Sequence, residues 1–203
     1  MIKAFSGAFA LSLLAAGAAQ AASVAKTYSY FSIGGSTLDE IEEQLGRHGP
    51  EVKGSSQRHP GATRMQFNTR IDYVDYNGRC KVSKAAVTVR AKVILPKWRR
   101  SRKAGKDVQV IWDTLASDIK RHEDRHVEIA KNHARDMEKA LMRLSPQASC
   151  AAVAEQAKAL TTRLLTRHDT AQSEFDRVEG INFESRMLRL LRYRLERMQA
   201  ASR

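Results

Sequence analysis

The sequence is short of several things, and each shortage narrows its reading. Only two cysteines, Cys80 and Cys150, occur in 203 residues, so one intramolecular disulfide is the most the chain can form. Neither has a second Cys or a His at the short spacing that structural zinc sites use. Acidic residues are scarce: 22 Asp and Glu stand against 35 Lys and Arg, a formal net charge of +13. That balance favours anionic partners such as envelope polymers, lipid headgroups or acidic proteins; no specific nucleic-acid partner is expected. Long apolar runs are also missing. The one that stands out, Ala4 to Ala18, is shorter than the roughly 20 residues of a membrane-spanning helix. No later stretch approaches that length, and no internal repeat, low-complexity segment or linker divides the chain.

What is present begins with the three parts of a secretory signal peptide: Lys3, the apolar run, and the small residues Ala19-Gln20-Ala21. Cleavage is expected after Ala21 or Ala22. This leaves residues 23–203 as one periplasmic or secreted domain with no transmembrane segment. In that oxidising setting Cys80 and Cys150 are expected to pair, closing a loop of about 70 residues worth about 4 kcal/mol in the chain-entropy model.

Strand formers fill Thr27 to Ile33 and end at Gly34-Gly35. Ser36 or Thr37 can cap a helix carrying Leu38, Ile41 and Leu45, which Gly49-Pro50 stops. After a loop over Gly54 to Gly61, the residues Met65, Phe67, Thr69, Ile71 and Tyr73 share one parity of a strand running to Tyr76. Asn77-Gly78 predicts a hairpin into a second strand, from about Cys80 to Leu95, closed by Pro96. Six of the ten residues from Lys97 to Lys106 are basic. They are read as a solvated loop, with an anion patch as the functional alternative.

From Asp107 to Leu144 the pattern is helical, with Val108, Trp112, Leu115, Ile119, His122, His126, Ile129, His133, Met137, Leu141 and Leu144 as its inward stripe. A second helix is expected from Cys150 to about Val178, interrupted by Gly180. A third, Arg-rich and amphipathic, follows from Phe183 to Met198. The fold class is therefore α+β: a small antiparallel sheet with an N-terminal helix, packed against one long helix and two further C-terminal helices.

The long helix contains His122-Glu123-Asp124-Arg125-His126. Residues four apart lie one turn apart, so His122 and His126 can converge on one divalent ion. Glu123, rotated by about 100°, is placed to take a proton from an attacking water. The chemistry implied is amide hydrolysis assisted by Zn2+, with a peptide or protein as substrate. His133 shares the stripe, but about 10 Å of helix rise separates it from His126. The third ligand is therefore sought at Asp176 and Glu179, with His168 and Asp169 as weaker candidates read as solvent-exposed. The competing reading is a non-catalytic basic envelope protein that holds an anionic polymer through Lys97 to Lys106 and the last helix.

With these residues in view, the chain resembles a bacterial family of predicted secreted zinc-dependent proteases, itself defined as a domain of unknown function. The resemblance runs through Tyr30-x-x-x-Gly34, Gly49-Pro50-x-Val52, Cys80-x-Val82, Leu95-Pro96, Trp112-Asp113, His122-Glu123-x-x-His126, Cys150 and Phe175-Asp176-Arg177-Val178-Glu179. It implies metal ligation by His122 and His126, base catalysis by Glu123, and the disulfide already expected. In one branch of that family the last motif is Tyr-Asp followed by Thr and then His-Gly. Here Phe175 replaces the Tyr, Glu179 stands where the Thr would, and Ile181-Asn182 occupy the His-Gly places, which leaves both Asp176 and Glu179 open as third ligand.

Overall fold

The computed structural model describes residues 23–52 and 56–201. The expected signal peptide, residues 1–22, and residues 53–55 and 202–203 lie outside the described residues. Seven elements follow in order: β1 (Ser23–Ile33), α1 (Leu38–His48), β2 (Ala62–Tyr76), β3 (Arg79–Trp98), α2 (Lys106–Met142), α3 (Cys150–Ile181) and α4 (Phe183–Ala201). The architecture is the expected α+β arrangement. Among the described residues no helix is long and apolar enough to cross a membrane.

Local chemistry accounts for most boundaries. Thr37 caps α1 by accepting from the Glu40 backbone N–H at 3.2 Å, while Glu40 reaches back to the Ser36 N–H at 2.6 Å. Asn77 (φ 54°) and Gly78 (φ 74°) turn the β2–β3 hairpin through positive φ, which these residue types tolerate best. Along β2, Met65, Phe67, Thr69, Ile71 and Tyr73 face the core and alternate with exposed residues, as the sequence parity requires.

The sheet order is β1-β3-β2, and it is mixed. β2 and β3 pair antiparallel, but β1 lies parallel to β3, from Ser23 opposite Thr88 to Ile33 opposite Trp98. The expected all-antiparallel sheet is corrected on this point, because side-chain alternation reports a strand's faces and carries no mark of its direction. β3 also runs through Pro96 to Trp98 instead of stopping at Leu95. The Arg99 N–H points to the Ile33 carbonyl on β1, so by alternation the N–H that Pro96 lacks would point towards β2. There the pairing has already ended at Ala62–Ile94, and no ladder bond is lost.

Helices α2 and α3 pack on one face of this sheet. Val87 and Val89 of β3 meet Ala130, Ala134, Met137 and Leu141 of α2 and Ala157 and Leu160 of α3. Trp98 does not face solvent in the basic loop; it packs with Trp112, Ile33 and Ile41 and donates from Nε1 to the Gly35 carbonyl at 3.1 Å. Cys80 and Cys150 form the expected disulfide, 70 residues apart in sequence, and tie the start of β3 to the start of α3. Reciprocal backbone bonds of 2.8 Å between Cys80 and Gln147 reinforce the same junction.

Between His122 and His133 the buried stripe of α2 is turned by about one residue from the expected one, while Trp112, Ile119, Met137 and Leu141 are buried as expected. It runs through Trp112, Ile119, Glu123, Val127, Ala130, Ala134, Met137 and Leu141. The expected stripe, set by spacings of three and four, took in Ile129 and His133 and passed over Ala130 and Ala134, which are both fully buried. Small side chains let α2 approach the sheet closely, and that turns the histidines towards α3 instead of the aliphatic core.

Candidate metal centre

The site lies where α2 faces the last turns of α3. On α3 the residues His168, Gln172, Asp176 and Glu179 recur at intervals of four, four and three, so they form one stripe directed at α2. His122 Nε2 and His126 Nε2 lie 3.0 Å apart, and Asp176 Oδ1 is 3.2 Å from the first and 3.0 Å from the second. These three side chains form the only group of metal-ligand type among the described residues.

Such a triangle fits a small cation. Tetrahedral ligands bound at about 2.0–2.1 Å stand roughly 3.3 Å from one another. The donors, two imidazole nitrogens and one carboxylate oxygen, are those that borderline divalent metals accept. Without a cation, two imidazole nitrogens can share one carboxylate oxygen favourably only if a proton sits among them. Burial pushes the Asp176 carboxyl up, but hydrogen bonds and charge from His122 and His126 outweigh it and hold the group far below the usual carboxylate range. Burial lowers His126, and bonding to Asp176 and Gln172 more than reverses this, so its imidazolium is favoured. A divalent ion would meet the same need with both rings neutral, so the group could hold a metal ion.

The neighbours of these rings decide which nitrogen faces the cluster. His126 Nδ1 lies 2.5 Å from Gln172 Oε1; an amide oxygen only accepts, so Nδ1 carries a proton, and in the neutral ring that a metal would require the lone pair falls to Nε2. Gln172 is itself fixed, donating from Nε2 to the His126 carbonyl at 3.1 Å and lying 2.7 Å from His168 Nε2. His122 Nδ1 faces Glu179 Oε2 at 3.5 Å. Phe175 stacks on His122 with ring centroids 4.9 Å apart and meets His126 edge-on at 5.1 Å.

Glu123 is the buried member of the motif, 5% exposed and turned towards the start of β2. Thr63 Oγ1 donates to its Oε2 at 2.8 Å. Gly61 leaves room for it, since a Cβ there would stand 2.9 Å from Glu123 Oε1 and 2.8 Å from Ile119 Cγ2. Burial raises the Glu123 carboxyl above its ordinary value, against the opposing pull of the Thr63 bond and of both histidines.

Of the residues expected at a site, His122, His126 and Asp176 come together with Glu123 alongside. Glu179 is brought to the same end of α3 but outside the three-residue group, facing the other nitrogen of His122 and paired with Arg121 and Arg186. His133 stands apart, its ring 5.5 Å from that of His168. His168, expected to be exposed, is 4% exposed and packs against Phe67 at 4.8 Å; burial lowers its pKa. Asp169 does point to solvent. Gln172, Thr63 and Gly61 were not singled out by the sequence. Gln172 had one signal, its place in the α3 stripe four residues before Asp176.

Comparison with known proteins adds one result. A family model described as "Bacterial protein of unknown function (DUF922)" matches residues 28–184, from within β1 to the start of α4. The chain belongs to that family. The description names neither an activity nor a metal, so membership agrees with the resemblance in lineage and leaves its protease and zinc components to the chemistry of the site. No curated protein and no solved structure matches the chain. A cleft of about 440 Å³ runs between α2 and α4, beside Thr114, Leu190 and Tyr193.

Proposed function

We propose that the protein is an exported zinc-dependent metallopeptidase, in which His122, His126 and Asp176 hold the ion and Glu123 is the general base. The observation that carries this reading is the convergence at 3.0–3.2 Å of two Nε2 atoms, from the helix that also presents Glu123, with one carboxylate oxygen of α3. Zinc at that position would supply Lewis acidity to a scissile carbonyl and make a nearby water more acidic. The chain's own residues do the remainder. Glu123, its proton affinity raised by burial, takes the proton of the attacking water and passes it to the leaving amine. Thr63 fixes the carboxylate that does so. Gln172 holds the His126 ring with Nε2 directed to the cluster. The substrate class is a peptide or protein amide, cell-wall peptides included. Export is supported by the signal-peptide pattern and by the Cys80–Cys150 disulfide.

Purified protein is expected to contain near one equivalent of zinc and His122→Ala to lose it; unchanged metal content in that variant would sink the reading. Glu123→Gln should keep the metal while hydrolysis of a mixed peptide substrate falls by about 10²–10⁴-fold.

A second reading, a non-catalytic basic protein holding an anionic envelope polymer, is favoured by a different observation. On the sheet face away from α2, Arg64 lies directly opposite Lys92, and Arg90 opposite Gln66, all exposed. Among the described residues, no ion pair joins Arg64, Arg90 or Lys92 to a carboxylate. Like charges placed opposite each other are unfavourable unless an anion compensates them. This reading predicts salt-dependent polymer binding that survives Glu123→Gln.

A further inference from the structure

Behind the histidines stands a second set of charges, centred on a carboxylate more deeply enclosed than any side chain of the first. The Asp118 side chain of α2 is 4% exposed, and Arg186 of α4, 12% exposed, is its main partner. Arg186 Nε lies 3.1 Å from Asp118 Oδ1 and Nη2 lies 3.1 Å from Oδ2. The same guanidinium continues to α3, donating from Nη1 to the Glu179 carbonyl at 3.2 Å and standing 3.4 Å from Glu179 Oε2 through Nη2. Arg121 makes a second link of the same kind, from Nε to Asp118 Oδ1 at 2.9 Å and from Nη2 to Glu179 Oε2. Two guanidiniums thus bridge two carboxylates, and one of those carboxylates, Glu179, faces His122 Nδ1.

We propose that Arg186 is a positioning residue for the metal centre: it holds Glu179 where that carboxylate keeps the proton on His122 Nδ1, leaving Nε2 free for the ion. The proposal rests on the metal reading given above, and Arg186 lies beyond the segment that the family model matches. Its physical basis is charge balance in an enclosed space. Asp118 cannot turn to water, so with Arg186 removed it draws Arg121 wholly to itself. Glu179 then loses both cations, and with Arg186 also the contact on its backbone carbonyl. Its carboxylate is freed to swing to solvent, and His122 is left without a partner that selects its tautomer. A merely structural Arg186 would change stability while leaving the imidazole of the folded protein as it was.

The test compares wild type, Arg186→Gln and Arg186→Lys, each checked for folding by circular dichroism. Two quantities are read: zinc affinity by competition with a chromophoric chelator, and the His122 tautomer from imidazole nitrogen resonances of the metal-free protein. Expected are a roughly 10–100-fold weaker zinc affinity for Arg186→Gln, the usual size for loss of an outer-shell partner, a mixed His122 tautomer, and partial recovery of both in Arg186→Lys. A folded Arg186→Gln with wild-type affinity and an unchanged Nδ1–H tautomer overturns the proposal. Should Arg186→Gln not fold, Glu179→Ala, which keeps the Asp118–Arg186 pair, must lose the tautomer preference; if it keeps it, the proposal is likewise overturned. If wild type takes up no zinc, the metallopeptidase reading fails, and the tautomer measurement on metal-free protein alone decides the role of Arg186.

Discussion

In the proposed reaction Glu123 must be ionised to accept a proton, yet it occupies a place that penalises charge. Burial raises its carboxyl, and the Thr63 hydroxyl, donating to Oε2 at 2.8 Å, works in the opposite direction. Thr63→Val removes that donor at nearly constant volume, so the carboxyl should move further up. A base is active when deprotonated. The acidic limb of the kcat/KM profile is therefore expected to shift to higher pH, with zinc content unchanged. A profile that does not move would show that Thr63 has no part in setting the base. Residues of this kind are hard to read in a sequence: His122, Glu123 and His126 announce themselves by type and spacing, whereas Thr63 matters only because α2 comes to rest over the start of β2.

Between elements, the informative pattern was a pair of facing stripes, one on α2 and one on α3. The α3 stripe of His168, Gln172, Asp176 and Glu179 was open to reading from spacing alone, but Gln172 drew no notice because an amide is not counted as a ligand. On α2 the histidines and Glu123 were legible as a motif, while their orientation was not. Ala130 and Ala134 set how closely the helix sits, and hydrophobic size is a poor guide to which side chains become fully buried. The ion pair joining α2 to α4 was invisible to periodicity, since Asp118 and Arg186 are 68 positions apart. It nevertheless bears on stability. Burial pushes the Asp118 carboxyl up, and bonds from Arg186 and Arg121 outweigh this, so its pKa in the folded chain lies below the unfolded value of about 3.9. Stabilisation from a depressed carboxyl is complete above the unfolded value and is lost as pH falls through the folded one. Asp118→Asn should accordingly destabilise the protein by about 3–5 kcal/mol at neutral pH and flatten the decline of the urea midpoint in acid. A decline as steep as that of wild type would place the acid sensitivity elsewhere.

At the scale of the whole molecule, the disulfide is the cross-link least affected by the rest of the sequence. It joins residues 70 apart, tying the start of the central strand to the helix that carries Asp176. Cys80→Ser with Cys150→Ser is expected to lower the unfolding free energy by about 4 kcal/mol, measured by urea denaturation under oxidising conditions; an equal midpoint for both proteins would refute it. The pairing was legible because there was no other pair to choose. The parallel placement of β1 was not, and it has a consequence for assembly. β1 is first of the sheet's strands to leave a ribosome or an export channel, but its partner on β3 lies 65 positions later, at Thr88 opposite Ser23. Loop closure of that length is slow compared with the β2–β3 hairpin. Until the hairpin exists, a newly made chain would therefore hold Tyr28 and Tyr30 on an unpaired strand, an open edge of the kind through which unfolded chains associate.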